Sequence, residues 1–399
     1  VFSERVDRLG SSLVREILAS TQRPGMISFA GGLPAPDAFP AFDWPSVPDC
    51  AMQYGMSEGE PQLRASIAEY LITQGLSCSA EQVLIVSGSQ QGIDLVGKLF
   101  VDPGTPIVTE SPTYLAALQA FGFFGAQVSG LPLGASGVDA TDLAATIARV
   151  HPRLAYLIPT FQNPSGACYS AETRDAVAAV IDEAGVPLLE DDPYRELVYD
   201  DVERTPICAR LKRAPWIYQG SFSKSFMPGV RVGYLVASED LFGHLLHIKQ
   251  ATDLHTNRPG QWLAHAWLSS PDRDNYLAAL RERYRAKRDA MNAALATHFG
   301  DLATWETPPG GLFFWLQLAE PIDTRPLLAE MLDRGVAFMP GEAFFPGDDP
   351  VRGHLRLNFS HATPAQMDEG LGILAEAVRA AGGSAWAGGY SAGTTRVRS

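Results

Sequence analysis

Short runs of consecutive apolar residues, each followed by a small-residue or polar segment and then by a helix-forming stretch, set the rhythm of the middle of the chain. The runs are 83–86, 106–109, 154–158, 186–189, 216–218 and 232–236. They lack the polar alternation of a strand with one wet face. Near-continuous apolar strands belong in a parallel sheet covered on both faces. The intervening segments, such as 171–184, have helix-forming composition. The pattern predicts an α/β domain with a central sheet.

The two ends of the chain break this rhythm. Leu13, Val14 and Ile17 give one apolar face to a short helix predicted over 12–18. The stretch 24–48 carries too much proline for a helix and reads as an extended arm lying over something else. Further on, a long charged helix over 276–299, strands at 312–318 and 354–359 and a last helix over 364–380 predict an α+β subdomain. The expected organisation is therefore an N-terminal helix and arm (1–54), a large ligand-binding domain (55–274), a small C-terminal domain (275–381) and a Gly-, Ser- and Ala-rich tail (382–399) expected to be flexible.

Composition narrows the class. The 399 residues are 46% hydrophobic and 19% charged, an ordinary globular balance with room for two domains. A formal net charge of −14 argues against non-specific nucleic-acid binding, and it leaves anion recognition to local arginines. No apolar run reaches the roughly eighteen residues of a membrane span. Residues 1–9 carry charge and lack the apolar core of a signal peptide. Cys50, Cys78, Cys168 and Cys208 lie far apart with no C-x-x-C pattern, so they read as reduced thiols. A cytoplasmic location with neither a disulfide framework nor a metal site is expected.

Candidate chemistry falls in the loops beyond the carboxyl ends of the predicted strands, where ligands of open α/β sheets bind. Ser221-Phe222-Ser223-Lys224 is followed seven positions later by Arg231. A lysine amine condenses with an aldehyde only after losing its proton, which partial burial favours. Serine hydroxyls and an arginine fork suit a phosphate. Together they suit an aldehyde bearing a phosphate, such as pyridoxal 5′-phosphate, although a surface lysine beside a Pro228–Gly229 turn would read the same way. Ser87-Gly88-Ser89-Gln90-Gln91-Gly92 is either a phosphate cradle at a helix N-terminus or a strand-to-helix turn with a serine cap. Tyr114 could stack on a flat heteroaromatic ring or fill the core. Asn163, held extended by Pro164, can donate to a ring oxygen or simply serve an Asn-Pro-Ser-Gly turn.

Two further positions involve charge in apolar surroundings. Glu190-Asp191-Asp192 directly follows an apolar run, where carboxylates cost several kcal/mol unless something positive faces them. A protonated pyridine nitrogen is such a partner, and an exposed acidic strand end is the alternative. Arg356, between Leu355 and Leu357, needs either a substrate carboxylate or a structural salt bridge.

These loops, in this order and at these spacings, resemble fold-type I pyridoxal phosphate enzymes of the class I/II aminotransferases, over nearly the whole chain from 12 to 380. Arg15-Glu16-Ile17-Leu18, Gln22-Arg23-Pro24-Gly25 and Ser28-Phe29-Ala30-Gly31-Gly32-Leu33-Pro34 resemble the LysN-type branch of 2-aminoadipate and broad-specificity aminotransferases. The same branch includes domains of MocR-type regulators. The resemblance implies a large domain with a mostly parallel sheet flanked by helices and a small α+β domain, with pyridoxal 5′-phosphate as cofactor. It also implies a homodimer with shared sites.

Specific roles follow from it. Lys224 would be the Schiff-base lysine and the acid/base between Cα and C4′, and Asp191 the partner of the pyridine nitrogen. Asn163 and Tyr194 would bond the ring's phenolic oxygen, and Tyr114 would stack on the ring. Ser89, Gln90, Ser221, Ser223 and Arg231 would hold the phosphate, joined by Tyr54 of the neighbouring subunit. Arg356, helped by Gly32 and Asn163, would bind the substrate α-carboxylate, and Arg15 a distal carboxylate. The implied reaction is ping-pong transfer of an amino group from an L-amino acid (2-aminoadipate, glutamate, aromatic or branched-chain) to a 2-oxo acid such as 2-oxoglutarate. A lyase, decarboxylase or oxidase on the same fold, or a ligand-sensing regulator domain, are the alternatives.

Overall fold

The computed structural model describes residues 2–9, 17, 23–40, 46–347 and 351–387. Apart from Ile17, the helix predicted over 12–18 lies outside them, and so does Arg15. The arm begins with strand β1 (Ile27–Ser28), and a one-turn helical segment follows at Pro36–Ala38. The large unit then runs α1 (Pro61–Thr73), β2 (Val83–Val86), α2 (Ser89–Phe100), β3 (Pro106–Ser111), α3 (Leu115–Phe124), β4 (Gln127–Gly134), β5 (Gly137–Val138), α4 (Ala140–Val150), β6 (Ala155–Leu157), α5 (Ala171–Ala184), β7 (Leu188–Asp191), β8 (Trp216–Ser221), β9 (Gly233–Ala237), α6 (Glu239–Asp253) and α7 (Arg258–Leu268). Its eight strands form one sheet in the order β2-β9-β8-β7-β6-β3-β4-β5. Strands β8, β7, β6, β3 and β4 are parallel; β9 runs against both its neighbours, and β5 runs against β4.

The continuous apolar runs have a simple cause. Successive side chains point to opposite faces, and helices cover both. Val83, Ile85, Leu188, Tyr218 and Val236 pack with α1, α4, α5 and α7, whereas Leu84, Val86, Leu189, Ile217 and Leu235 pack with α2, α3 and α6. Strands β4 and β5 were not legible in the apolar pattern. β4, Gln-Val-Ser-Gly-Leu-Pro-Leu-Gly, lies next to the short edge strand and is largely half-buried or exposed, so it needs no apolar run. The fourth run is also displaced: Val186 and Pro187 precede β7, which instead carries Glu190 and Asp191 as its last residues, all buried.

The smaller unit contains α8 (Arg273–His298), β10 (Ala303–Trp305), β11 (Phe313–Leu318), α9 (Thr324–Asp333), β12 (Val336–Ala337), β13 (Met339–Pro340), β14 (His354–Asn358) and α10 (Pro364–Ala387). Strands β10-β11-β14-β13 form an antiparallel sheet. Helix α10, expected to end at Ala380, runs on to Ala387, so the first residues assigned to a tail are helical. The alanines around Gly382 and Gly383 are strong helix formers and offset glycines that each cost about 1 kcal/mol. The arm docks on this unit. Ile27 and Ser28 pair with Val336 and Ala337, and Asn358 N donates to Phe29 O at 2.8 Å. This strand addition carries residues 30–33 to the edge of the large sheet.

Candidate active site

A cavity of about 270 Å³ opens where the arm, the large sheet and the smaller unit meet. Gly31, Gly32, Tyr114, Asn163, Tyr194, Lys224 and Arg356 line it, with Ile17, Leu33, Leu115, Met339 and Phe344 supplying apolar wall. Parallel strands ending at one edge explain the convergence: Tyr114 follows β3, Asn163 follows β6, Tyr194 follows β7 and Lys224 follows β8.

Lys224 Nζ donates to Gly32 O at 2.7 Å and sits 5.7 Å from the centre of the Tyr194 ring. Burial, reinforced by the positive charges of Arg356 and Arg231, pulls its amine down to about 8. Near neutral pH a useful fraction is thus unprotonated and nucleophilic.

Asp191, the last residue of β7, is only 2% exposed. Tyr156 Oη donates to one of its oxygens and Gln219 Nε2 to the other, each at 2.8 Å. Burial nevertheless raises the carboxyl to about 6, because those two bonds only partly offset desolvation. Strand alternation separates the three neighbouring carboxylates. Glu190 turns to the other face, where Cys208 N donates to it at 2.8 Å, and Asp192 accepts from Tyr218 Oη at 2.9 Å and pairs with Arg195 at 3.0 Å. Of the three, Asp191 is therefore the one whose charge acts on Tyr114 and Tyr194 as well as on Tyr156.

Arg356 is buried between two rings, its guanidinium carbon 4.3 Å from the centre of Phe313 and 4.9 Å from that of Phe344. It donates to Asn163 Oδ1 at 2.9 Å and to Ala30 O at 2.6 Å, and its Nε has no partner. Among the described residues it forms no ion pair. Burial lowers its pKa to about 10, with partial compensation from Tyr194 and Tyr114. Tyr194 packs edge-on to Phe313 at 5.6 Å, and burial pushes its phenol well up. Tyr114 caps α3 and is raised to about 12 by burial and by the charge of Asp191.

A second feature lies beside this cavity. Gly88, at φ 80°, caps α2, and Ser89 and Gln90 form its first turn, whose N–H groups have no intrahelical acceptor. Arg231, in the left-handed region at φ 52°, donates to Ser87 O at 3.3 Å and to Pro228 O at 3.1 Å. A Cβ on Gly88 would lie 2.4 Å from the Arg231 guanidinium, and one on Gly233 would lie 3.1 Å from Ser89 N. Both glycines keep open a cradle of N–H groups beside the Arg231 guanidinium, and Ser221 pairs with Gly233 in the sheet. Ser221 Oγ accepts from Ser223 N at 3.1 Å. Gln90 is exposed and reaches Ala116 O at 3.4 Å. A cradle for a dianion, a depressed amine and a buried carboxylate within the field of the same tyrosines fit pyridoxal 5′-phosphate.

Tyr54 stands apart. It is 76% exposed, edge-on to His255 at 5.8 Å, and it does not line this chain's cavity. The supporting residues Tyr156, Gln219, Phe313 and Phe344 were missed in the sequence. Gln219 had a signal, a polar residue two positions from Ile217 in a buried strand; Tyr156 and the two phenylalanines had none, since they look like ordinary core.

The chain is similar in sequence and fold to known proteins. The family model described as aminotransferase class I and II matches residues 49–374. A 2-aminoadipate transaminase of Thermus thermophilus is 37% identical over 95% of this chain and 96% of its own length. The solved structure of LysN, α-aminoadipate aminotransferase of the same species, complexed with N-(5′-phosphopyridoxyl)-L-leucine, superposes with a TM-score of 0.86 at 36% identity, covering 95% of this chain and 97% of that one. A kynurenine aminotransferase of Pyrococcus horikoshii superposes with a TM-score of 0.89 at 34% identity over the same shares. A matched family model over most of the chain, full-length relatives and a cavity fitted to the cofactor lead to one conclusion: this chain belongs to the class I and II aminotransferases, as a LysN-like, pyridoxal phosphate-dependent enzyme of fold type I.

Proposed function

We propose that the enzyme moves the amino group of an L-amino acid to a 2-oxo acid, 2-oxoglutarate being the expected acceptor, in two half-reactions at this one cavity. The observation that carries the reading is Arg356. It is a buried guanidinium with an unpartnered Nε, no ion pair among the described residues, and the Phe313 and Phe344 ring centres 4.3 and 4.9 Å from its carbon. An unpaired buried charge is costly, so the site is built for an anion that comes and goes. A substrate α-carboxylate docked there would bring Cα towards Lys224. Amines without a carboxylate would gain nothing from it.

Bound pyridoxal phosphate supplies an aldehyde that condenses with amines and a ring that takes up the electrons of a broken Cα–H bond. The chain's own residues do the rest. Lys224 Nζ would hold the cofactor and would act as the base and then the acid for the substrate Cα proton. Its lowered pKa suits both tasks. Asp191 keeps the ring nitrogen protonated, and Tyr156 and Gln219 hold that carboxylate in place. Asn163 and Tyr194 orient the ring oxygen, Tyr114 covers the ring, and Ser89, Gln90, Ser221, Ser223 and Arg231 fix the phosphate. Gly32, whose carbonyl already holds Lys224, helps seat the carboxylate.

Two assignments reach beyond the cavity. Tyr54, exposed on this chain, serves the phosphate of a second copy in a homodimer. Arg15, two residues before the cavity-lining Ile17, meets a distal substrate carboxylate. Cytoplasmic location accords with the reduced thiols.

Turnover of a panel of amino donors with 2-oxoglutarate, each compared with its decarboxylated amine, tests the reading. Donors should react and the amines should not. Arg356→Met should lower kcat/KM for amino acids by about a hundredfold or more. Full activity in that variant, or equal turnover of amines, overturns it.

A further inference from the structure

Behind the cradle lies a charged group that the reaction does not use. Lys249, on α6, is 0% exposed. Its ammonium donates to Gln91 Oε1 at 2.8 Å, to Asp253 Oδ2 at 2.9 Å and to Thr256 Oγ1 at 2.9 Å, which uses all three of its protons. Burial pulls its pKa down, while the bond and charge of Asp253 act in the opposite sense. Burial would raise Asp253, but bonds from Lys249 and Gln91 outweigh it and hold that carboxyl low. Lys249 Nζ also lies 2.8 Å from Asp253 Oδ1, so the ammonium meets both oxygens of the carboxylate.

These acceptors are not scattered. Gln91 Oε1 also accepts from Ser87 N at 2.7 Å, and Gln91 Nε2 donates to Asp253 Oδ2 at 2.6 Å. Thr256 Oγ1 donates to Ile85 O at 3.2 Å, on the strand that leads into the cradle. With the ammonium in place, the Gln91 amide has only one satisfied orientation, because its oxygen faces two donors and its nitrogen faces a carboxylate. Ser87 is thereby pinned by its N–H through Gln91 and by its carbonyl through Arg231. The segment that presents Gly88, Ser89 and Gln90 is thus fixed from behind by a buried ammonium that pairs with a partly exposed carboxylate.

We propose that Lys249 is a positioning residue for the cofactor's phosphate: through Gln91 it sets the orientation of the Ser87–Gln90 cradle, and it does so without touching the cofactor. The proposal rests on the reading that Ser89, Ser221 and Arg231 receive that phosphate. A phosphate-specific role makes a specific demand. Loss of Lys249 should weaken binding of pyridoxal 5′-phosphate and leave binding of pyridoxal, which lacks the phosphate, unchanged.

The test is a spectrophotometric titration of the full-length chain, freed of cofactor, with each of the two aldehydes. Lys249→Met should lower affinity for pyridoxal 5′-phosphate by about tenfold or more with no change for pyridoxal. In the reconstituted holoenzyme the ³¹P resonance should shift, while kcat at saturating cofactor changes little. Gln91→Leu leaves the Lys249–Asp253 pair and the Thr256 bond in place. It should reproduce the same selective loss, which covers the case in which Lys249→Met does not fold. Arg231→Ala serves as the control for the cradle. If Arg231→Ala keeps the full preference for the phosphorylated aldehyde, the cradle assignment itself is wrong. If Arg231→Ala loses that preference but Lys249→Met or Gln91→Leu retains it, or loses both aldehydes equally, only the role of Lys249 is refuted.

Discussion

At the scale of single residues, the site buries the charged groups of Lys224, Asp191 and Arg356. Lys224 and Asp191 are shifted in opposite directions by the same cause, desolvation, and each shift predicts a pH dependence. The amine at about 8 means that the rate of cofactor incorporation into cofactor-free protein should climb with pH and level off above about 8. An inflection near 10 would show that burial does not tune this amine. For Asp191 the folded-state value of about 6 exceeds the ordinary 3.8, so the fold disfavours its ionised form. The penalty is absent below about pH 4 and complete above about pH 6, where it amounts to roughly 3 kcal/mol. Asp191→Asn should accordingly stabilise the cofactor-free protein against urea at pH 7.5, with the gain fading towards pH 4, while turnover falls by about a hundredfold or more. Lys224→Ala should abolish turnover and the covalent linkage to the cofactor, as read by mass spectrometry after borohydride reduction.

At the scale of elements, the site depends on what stands one layer behind it. Gln219 reaches Asp191 from β8 only because the facing position on α2 is Gly92, where a Cβ would fall 2.0 Å from Gln219 Oε1. Gly92→Ala should therefore cost about 1–3 kcal/mol of stability. It should also turn Gln219 from Asp191 and weaken cofactor binding, as read by unfolding and by absorbance titration. Buried Glu110 plays a similar part on β3. Thr113 Oγ1, Gln162 Nε2, Ile158 N and Tyr169 Oη all donate to it, which ties the loop carrying Tyr114 to the loop carrying Asn163. Burial raises its carboxyl to about 7 despite those four bonds.

At the scale of the whole molecule, the exposure of Tyr54 matters most. Met52, Tyr54, Met56 and Leu254 leave large apolar side chains in water along one face. A face of that kind is what a second copy would cover. If Tyr54 completes the neighbour's site, mixing a Lys224→Ala chain with a Tyr54→Ala chain should restore activity that neither homodimer has. One site of each mixed dimer would then regain both groups. Mixtures no more active than their components would place Tyr54 outside the site. The proposed contact of Arg15 with a distal substrate carboxylate has a test of its own. Arg15→Ala should reduce kcat/KM for dicarboxylic donors more than for apolar ones.

Much of this was legible before any fold was seen. Unbroken apolar runs marked a sheet covered on both faces, and the small and polar segments after them marked its ligand edge, because strand burial and loop chemistry are written locally. Lys224, Asn163, Tyr114 and Arg356 could be singled out as polar or charged groups in the wrong company. Among Glu190, Asp191 and Asp192, the family resemblance picks out Asp191; the apolar pattern alone does not choose, since which carboxylate faces the site depends on where β7 begins and hence on strand register. Tyr156, Gln219, Gly92 and Lys249 gave little or no sign of their work. Their roles are set by what lies across a face of the sheet, far away in the chain, and a short stretch of sequence carries no record of distant neighbours.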